Sequence, residues 1–397
     1  MAYLDHAATT PVRPEAREAM LPWLGERTGN PSGAHRPARE ARRAVDDARD
    51  VFAVVTGFEP GDVVFTAGGT EADCLAVFGV LDAVADERPG ATVVCPATEH
   101  HAVLEAVERR HGRVARVDAG GQVDLDHLAG LLDDDVALVS VMAVNNETGV
   151  IADLDAVLDL VAERASGALV HTDAVQALTW LDLPSATASP SGRRVDLLSL
   201  SAHKFGGPQG VGVLAVRAGT PLRAQLVGGG QERGRRSGTQ NVAGIAGAAA
   251  AARAAADTRP GTVDRLGRLR DHLADGLHDA VPGLVESGVA PGTRDRSRKV
   301  AGSCHVCIPG VEAEALLVLL EQDEVYASAA SSCASGAQDP SHVLAAMGVP
   351  RELAAGSLRL SLGWPTTEAD VDAAVAAVPA AVERLRALDP RPASVPT

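Results

Sequence analysis

Short buried runs alternate with helical stretches through roughly the first 255 residues, and this order leaves few folds open. The runs are rich in valine and leucine and lack the strict polar alternation of a strand with one wet face. Helical stretches follow them, for example up to about Ala85 and from about His101. The alternation predicts an α/β domain with helices on both faces of a mostly parallel sheet. The predicted strands cover residues 62–65, 91–95, 136–142, 168–171, 195–200 and 211–216.

An alanine-rich segment begins the last third of the chain. We predict a helix over 241–257, a break at 259–261, where proline and glycine follow each other, and a second helix from 263 to 281.

The remaining elements no longer alternate in the same way. Strands at 303–308 and 357–362 lie on either side of a helix at 312–322, an order typical of a smaller α+β domain. We therefore expect a large domain over 1–255, a small C-terminal domain over 256–388 and a disordered tail over 389–397. The N-terminal segment of the large domain is able to pack on the small domain.

Charge and cysteine content exclude several classes of protein. The formal net charge of −16 argues against a nucleic-acid surface, since phosphate binding needs clustered lysine and arginine. The start of the chain does not read as a signal peptide, and the longest apolar run, near 243–252, falls short of the ~20 residues of a membrane span. Five cysteines suit reduced thiols better than a disulfide framework. We expect a cytoplasmic protein that does not bind membranes.

Lys204 is the first candidate for chemistry. It follows a predicted buried strand, with a hydroxyl and an imidazole just before it (Ser201, His203) and a Gly-Gly-Pro turn just after it, at 206–208. A lysine that attacks a carbonyl must be neutral and held in place, and the turn leaves room for a bulky adduct. A surface lysine in a turn is the more common alternative, so this run alone is a weak signal.

Three further motifs also follow predicted strands. The run 66–70 has two glycines before a helix, which favours a phosphate but also fits a tight turn. His100 lies where ligands bind in open α/β sheets, although a structural histidine is equally consistent. The amides of Asn145 and Asn146 could orient a polar ligand or simply suit a loop.

Asp173 indicates which ligand these motifs could share. An aspartate at the end of a buried strand is costly unless it is paired with a cation or well hydrogen-bonded. A lysine, an aspartate 31 residues before it and an anion-binding glycine turn match the needs of pyridoxal 5'-phosphate (PLP): a Schiff-base lysine, a partner for the pyridinium nitrogen and a phosphate site. We therefore predict PLP as the cofactor, and no metal.

Further motifs accompany these residues in a fixed order, at 3–11, 29–32, 98–100, 144–147, 171–176, 201–204, 236–239, 332–336 and 357–363. In content and order they resemble the cysteine desulfurases, a family of fold-type I PLP enzymes related to class-V aminotransferases, from Tyr3 to about Leu388. The resemblance implies a large, mostly parallel α/β/α PLP-binding domain, a smaller α+β domain that carries a catalytic-cysteine loop, and a homodimer.

The resemblance also implies how PLP is held. Lys204 would bind it covalently and later move protons at the substrate α-carbon, and His100 would stack on the ring and take part in proton transfer. Asp173 would pair with the pyridinium nitrogen and Gln176 with the ring hydroxyl. The cofactor phosphate and its surroundings would be contacted by Gly69, Thr70, Asn146, Ser201, His203 and the partner subunit's Thr239.

The remaining implied roles concern the substrate, L-cysteine. Asn146 and Arg359 would hold its carboxylate, which suits a bidentate guanidinium. Cys333 lies among small residues without periodicity, which predicts a mobile loop. Its thiolate would attack the substrate sulfur and leave a persulfide and L-alanine, whereas a small buried cysteine is the alternative. The family passes such sulfur to acceptor or scaffold proteins, for iron–sulfur clusters or thio-modified molecules.

Other functions compete with this prediction. A selenocysteine lyase or another small-substrate PLP enzyme would share the fold, but an aminotransferase has no need of Cys333. A non-catalytic sulfur carrier would not need both Lys204 and Asp173.

The other four cysteines are predicted to be structural. Cys304 and Cys307 have the spacing of a metal pair, but residues i and i+3 of a strand face opposite sides. Cys74, His6 and Gln231 depart from residues that are common in the family.

Overall fold

The computed structural model describes residues 1–329 and 341–388. Its strands, in chain order, are β1 Ala2–Tyr3, β2 Val63–Thr66, β3 Thr92–Pro96, β4 Arg113–Ala115, β5 Val136–Ser140, β6 Leu169–Asp173, β7 Leu197–Ser201, β8 Gly212–Val216, β9 Val285–Glu286, β10 Ser303–Cys307, β11 Val325–Tyr326 and β12 Ser357–Ser361. Its α-helices are α1 Pro14–Leu24, α2 Arg36–Thr56, α3 Gly69–Val84, α4 His101–Arg109, α5 Leu125–Leu131, α6 Leu154–Arg164, α7 Leu183–Ala186, α8 Val242–Ala280, α9 Ala313–Gln322, α10 His342–Ala346, α11 Arg351–Ala354 and α12 Glu368–Leu388.

The largest sheet confirms the predicted α/β class. Its strand order within the described residues is β2-β8-β7-β6-β5-β3-β4. All strands run in one direction except β8, which is antiparallel to both neighbours. The residues of β8 form a buried run like those of the parallel strands, so the sequence pattern alone does not indicate its reversed direction. Its connection from β7, residues 202–211, is too short for the dozen or more residues that a parallel crossover needs.

Apolar layers cover both faces of this sheet. On β7, Leu198 belongs to the layer that includes residues of α2, α6 and α8, whereas Leu197 belongs to the layer with α3 and α4. Successive residues of a strand point to opposite faces, so each strand supplies both layers. This burial on two sides explains why the strands read as continuous hydrophobic runs.

A second core lies beside an antiparallel sheet of order β12-β10-β9. The N-terminal strand β1 pairs in parallel with β11, and Ala2 and Leu4 pack in the same core as Leu316 and Val378. The first residues of the chain therefore share a core with its last described helix.

The predicted break at 259–261 is wrong, because α8 is one helix of 39 residues with Pro260 inside it. Pro260 is exposed to solvent. Packing on both sides of this point outweighs the roughly 3 kcal/mol cost of an interior proline. The part of α8 before Pro260 belongs to the same core as residues of α1 and α2, and the part after it belongs to the same core as residues of α12. Although α8 is long, neither it nor another helix of the described residues is long and apolar enough to cross a membrane.

Candidate active site

Parallel strands bring the predicted motifs to one edge of the large sheet. Asp173 ends β6 and Ser201 ends β7, while Gly69, His100 and Asn146 follow β2, β3 and β5. Because these strands share a direction, their carboxyl ends meet at the same edge, where open α/β sheets bind ligands.

Lys204 lies on a single 3-10 turn, Ala202–Lys204, directly after β7. Its Nζ donates hydrogen bonds to the carbonyl oxygens of Ala7 and Ala8, at 2.6 and 2.8 Å. Gln176 Nε2 donates to the same Ala7 oxygen at 2.9 Å, and His203 Nδ1 lies 3.2 Å from Thr9 Oγ1. The N-terminal segment therefore forms one wall around the lysine.

Asp173 is 5% exposed and has little to offset its burial. The backbone N–H of Val175 donates to its Oδ1 at 2.8 Å. Burial raises the pKa of Asp173 to about 6, while that N–H and the charge of Lys204 act in the opposite direction. A cation placed against this carboxylate would favour its charged form. The observed environment therefore fits a protonated ring nitrogen.

A second buried carboxyl, Asp73 of α3, was missed from the sequence. His171 lies between the hydroxyls of Ser140 and Ser199, at 2.8 and 2.9 Å, and its Nε2 is 3.7 Å from Asp73 Oδ1. Burial lowers the pKa of His171 to about 3, so this contact is not an ion pair. Burial and the negative charge of Asp173 raise the pKa of Asp73 well above its ordinary value. Its position four residues after Gly69, one helical turn along α3, was the only sequence signal.

The glycine turn at the start of α3 approaches the end of β7 closely. A Cβ on Gly69 would lie 2.8 Å from Val175 Cγ2 and 3.4 Å from Ser201 Cβ. A side chain here would fill the space between the helix start and these residues, and the free N–H groups of the helix favour an anion. Thr70 is exposed and lines, with His100, a surface hollow of about 540 Å³. The turn therefore fits a phosphate.

His100 caps α4, since its Nδ1 accepts a hydrogen bond from the N–H of Ala102 at 3.1 Å. Burial, with the charge of Lys204, lowers the pKa of His100 to about 4. The same two causes lower the pKa of His203 to about 4. Both imidazoles are therefore neutral near pH 7.

Arg359 of β12 connects the small sheet to this edge. It is 5% exposed, and its Nη1 donates to the backbone oxygen of Asn146 at 3.0 Å. Its Nη2 donates to Asp5 Oδ1 at 2.8 Å. Asn146, Gln176 and Lys204 line one narrow hollow of about 30 Å³. Asn146 thus lines the same hollow as the lysine and also contacts Arg359.

Two predicted residues lie apart from this group. Thr239 is exposed and does not line either hollow within the described residues. Its loop is held near α3 by Arg236, whose guanidinium binds Glu71 at 2.7 and 3.1 Å. Cys333 lies outside the described residues.

The structure places the remaining cysteines in the fold. Cys304 packs in the core of the small sheet, and Cys307 packs with Leu344 on the opposite face of β10. Cys95 is buried and Cys74 is half-buried, and burial raises the pKa of both thiols. None of these four described cysteines is in a disulfide.

A lysine and an aspartate at neighbouring strand ends of this sheet fit the class of PLP enzymes, which need a Schiff-base lysine and a partner for the pyridinium nitrogen. The model of the aminotransferase class-V family matches residues 2–374. An IscS-like cysteine desulfurase of Mycobacterium tuberculosis is 43% identical over 396 residues, which cover 97% of each chain. The chain therefore belongs to the aminotransferase class-V family and, within it, to the cysteine desulfurases, which confirms the predicted family and enzyme class.

Solved structures agree with this assignment. A NifS-like protein superposes with a TM-score of 0.86 at 34% identity, covering 97% of this chain and 100% of that chain. SspA in complex with cysteine superposes with a TM-score of 0.76 at 26% identity, covering 91% and 99%. The family is PLP-dependent, and Asp173 and the Gly69 turn fit that cofactor.

Proposed function

We propose that the protein converts L-cysteine to L-alanine and retains the sulfur as a persulfide on Cys333. The observation that carries this proposal is the convergence of Lys204, Asp173 and the Gly69 turn on one sheet edge, beside Arg359. SspA, whose solved structure is a complex with cysteine, superposes on this chain, which supports cysteine as the substrate here.

Residues at this edge would hold PLP in complementary ways. Asp173 suits the ring nitrogen, Gln176 the ring hydroxyl and Lys204 the covalent attachment, with His100 against the ring. When bound, PLP supplies an electron sink for the substrate α-carbon. The phosphate would be held by Gly69, Thr70, Ser201, His203 and the partner subunit's Thr239.

The chain's own residues perform the remaining steps. Arg359 and Asn146 hold the substrate carboxylate, and Lys204 moves a proton at the α-carbon. The Cys333 thiolate attacks the substrate sulfur: an S–S bond forms, the C–S bond breaks, and its electron pair stays on carbon, which takes up a proton. Cysteine and one thiol therefore give alanine and one persulfide, and no external oxidant is needed.

We also propose the assembly in which this occurs. The two cores would correspond to domains over 1–255 and 256–388, in a cytoplasmic homodimer. An acceptor or scaffold protein would take the sulfur for iron–sulfur clusters or thio-modified molecules, as in the family.

The test is Cys333→Ala. We expect this variant to keep the visible absorption of bound PLP but to lose sulfide release from L-cysteine, measured with excess dithiothreitol, by about 100-fold or more, since it removes the nucleophile. Cys74→Ala, which removes a half-buried thiol in the hollow beside His100, should retain the parent rate. Parent-level sulfide release by Cys333→Ala would contradict the persulfide mechanism.

A further inference from the structure

The small sheet presents a buried polar face next to the predicted carboxylate site. Alternate residues of β10 and β12 pack in the second core, among them Val306, Leu358 and Leu360. Their neighbours on the other face are polar or small and are also buried: Ser303, His305, Cys307, Ser357, Arg359 and Ser361.

His305 lies directly opposite Arg359 across the β10–β12 pair. Arg359 exchanges both of its backbone hydrogen bonds with Ser328, on its other side. His305 and Arg359 therefore form a non-hydrogen-bonded antiparallel pair, the kind in which opposing side chains come closest.

Each of these two side chains has one nitrogen without a hydrogen-bond partner among the described residues. His305 is 0% exposed; its Nδ1 lies 2.9 Å from Ser287 Oγ, whereas its Nε2 has no partner. In Arg359 the two terminal nitrogens are bonded, but Nε is not. Buried hydrogen-bond donors and acceptors rarely lack a partner in native proteins. Here the two unpartnered nitrogens belong to residues that face each other across the strand pair.

The protonation state of His305 suits an acceptor role. Burial, together with the charges of Lys299 and Arg359, lowers the pKa of His305 to about 3. The neutral ring therefore has one nitrogen lone pair, which is on Nε2 when Nδ1–H donates its hydrogen bond to the Ser287 hydroxyl oxygen.

We propose that His305 is a positioning residue: its Nε2 accepts the Nε–H of Arg359, directly or through one buried water, and so fixes the guanidinium plane for the substrate carboxylate. The inference rests on the proposed function, which assigns the carboxylate to Arg359. Asp5, Asn146 and His305 would then hold the guanidinium at three of its five N–H groups. One N–H on each terminal nitrogen is left for a bidentate carboxylate contact.

The test compares His305→Leu, which removes the acceptor, with His305→Gln, whose amide oxygen can replace it. In the holoenzyme we expect His305→Leu to raise the KM for L-cysteine and the inhibition constant of L-alanine about tenfold, with kcat within about twofold. His305→Gln should keep both constants within about threefold of the parent. A merely structural role would instead lower kcat or the content of folded protein, and would not separate the two variants.

Arg359→Lys distinguishes the failure of the inference from that of the proposed function. If Arg359→Lys leaves both constants unchanged, Arg359 does not bind the carboxylate and the assignment itself is wrong. If it raises them while His305→Leu does not, or if both His305 variants are equally impaired, only the positioning role is overturned. Should His305→Leu fail to fold, a crystal structure of the parent holoenzyme with L-alanine decides. A direct or one-water bond between the two nitrogens supports the role, and an Nε–H taken by the ligand carboxylate overturns it.

Discussion

Among single residues, Glu147 is a buried carboxyl whose burial and polar contacts shift its pKa in opposite directions. It follows Asn146 in the chain, is 4% exposed, and its Oε2 accepts a hydrogen bond from the Ser341 hydroxyl. Burial raises the pKa of Glu147 to about 7, while Ser341 and the charge of Arg359 act in the opposite direction. This carboxyl therefore changes charge near neutral pH, immediately beside a residue proposed to bind substrate.

Replacing Glu147 by glutamine should make the protein less sensitive to pH. The folded pKa lies above the ordinary value of 4.5, so the folded state holds this proton more tightly. Its contribution to the free energy of unfolding, ~3 kcal/mol, is present below about pH 4.5 and is lost as pH rises toward 7. Between pH 5 and pH 8 we expect the Tm to fall further for the parent than for Glu147→Gln. The exposed Glu18→Gln should behave as the parent, and equal decreases for all three proteins would contradict the argument.

The sequence identifies some of the functional residues and not others. Lys204 and Asp173 were found because each lies where a buried strand ends, a position that is visible in the chain itself. Glu147 and His305 could not be singled out. Their environments depend on distant contacts, such as that between Glu147 and Ser341, 194 residues apart.

Among the elements, the start of α3 depends on two adjacent glycines with different surroundings. A Cβ on Gly69 would lie 2.8 Å from Val175 Cγ2, whereas a Cβ on Gly68 would meet nothing within 4 Å. The turn therefore offers a variant and a matched control one residue apart.

We expect Gly69→Ala to weaken PLP binding by about tenfold or more, because Val175 or the helix start must shift to make room. Gly68→Ala should bind PLP as the parent does, since its methyl group points into open space. Titration of the apo proteins with PLP, followed by absorbance, measures both affinities. Similar dissociation constants for the two variants would show that the close contact between Gly69 and Val175 does not shape the phosphate site.

Elements were predicted well where the local pattern decides them. The buried strands and flanking helices of the large sheet appear close to their predicted positions. The direction of β8 and the continuity of α8 were not foreseen. The first depends on the length of a connection, and the second on packing that overrides the local effect of Pro260.

At the scale of the whole molecule, the proposed phosphate site draws on two subunits. Thr239 is exposed, on the loop that Arg236 anchors to Glu71 beside α3. This exposure is consistent with a threonine that acts in the site of the other subunit.

Mixed dimers test this arrangement. Thr239→Ala alone should bind PLP more weakly, and Lys204→Ala alone should be inactive. If Thr239 crosses between subunits, a heterodimer of the two variants has one intact site and about half of the parent's activity per dimer. If Thr239 acts within its own chain, the heterodimer has no intact site and stays impaired. Differently tagged, co-expressed subunits allow the heterodimer to be isolated and assayed.

The core shared by the first residues and the last described helix has a consequence for synthesis. A ribosome releases Ala2 and Leu4 early, but their partner Val378 emerges several hundred residues later. The nascent chain can dock Thr10 and Arg13 on the segment around Lys204 well before that, through backbone bonds to His203 and Gly206. The stretch between these two anchors, which supplies the Ala7 and Ala8 oxygens, is tied at both ends only after β11, the pairing partner of β1, has emerged. The lysine's surroundings are therefore completed only after synthesis has passed β11, well after Lys204 itself has been made.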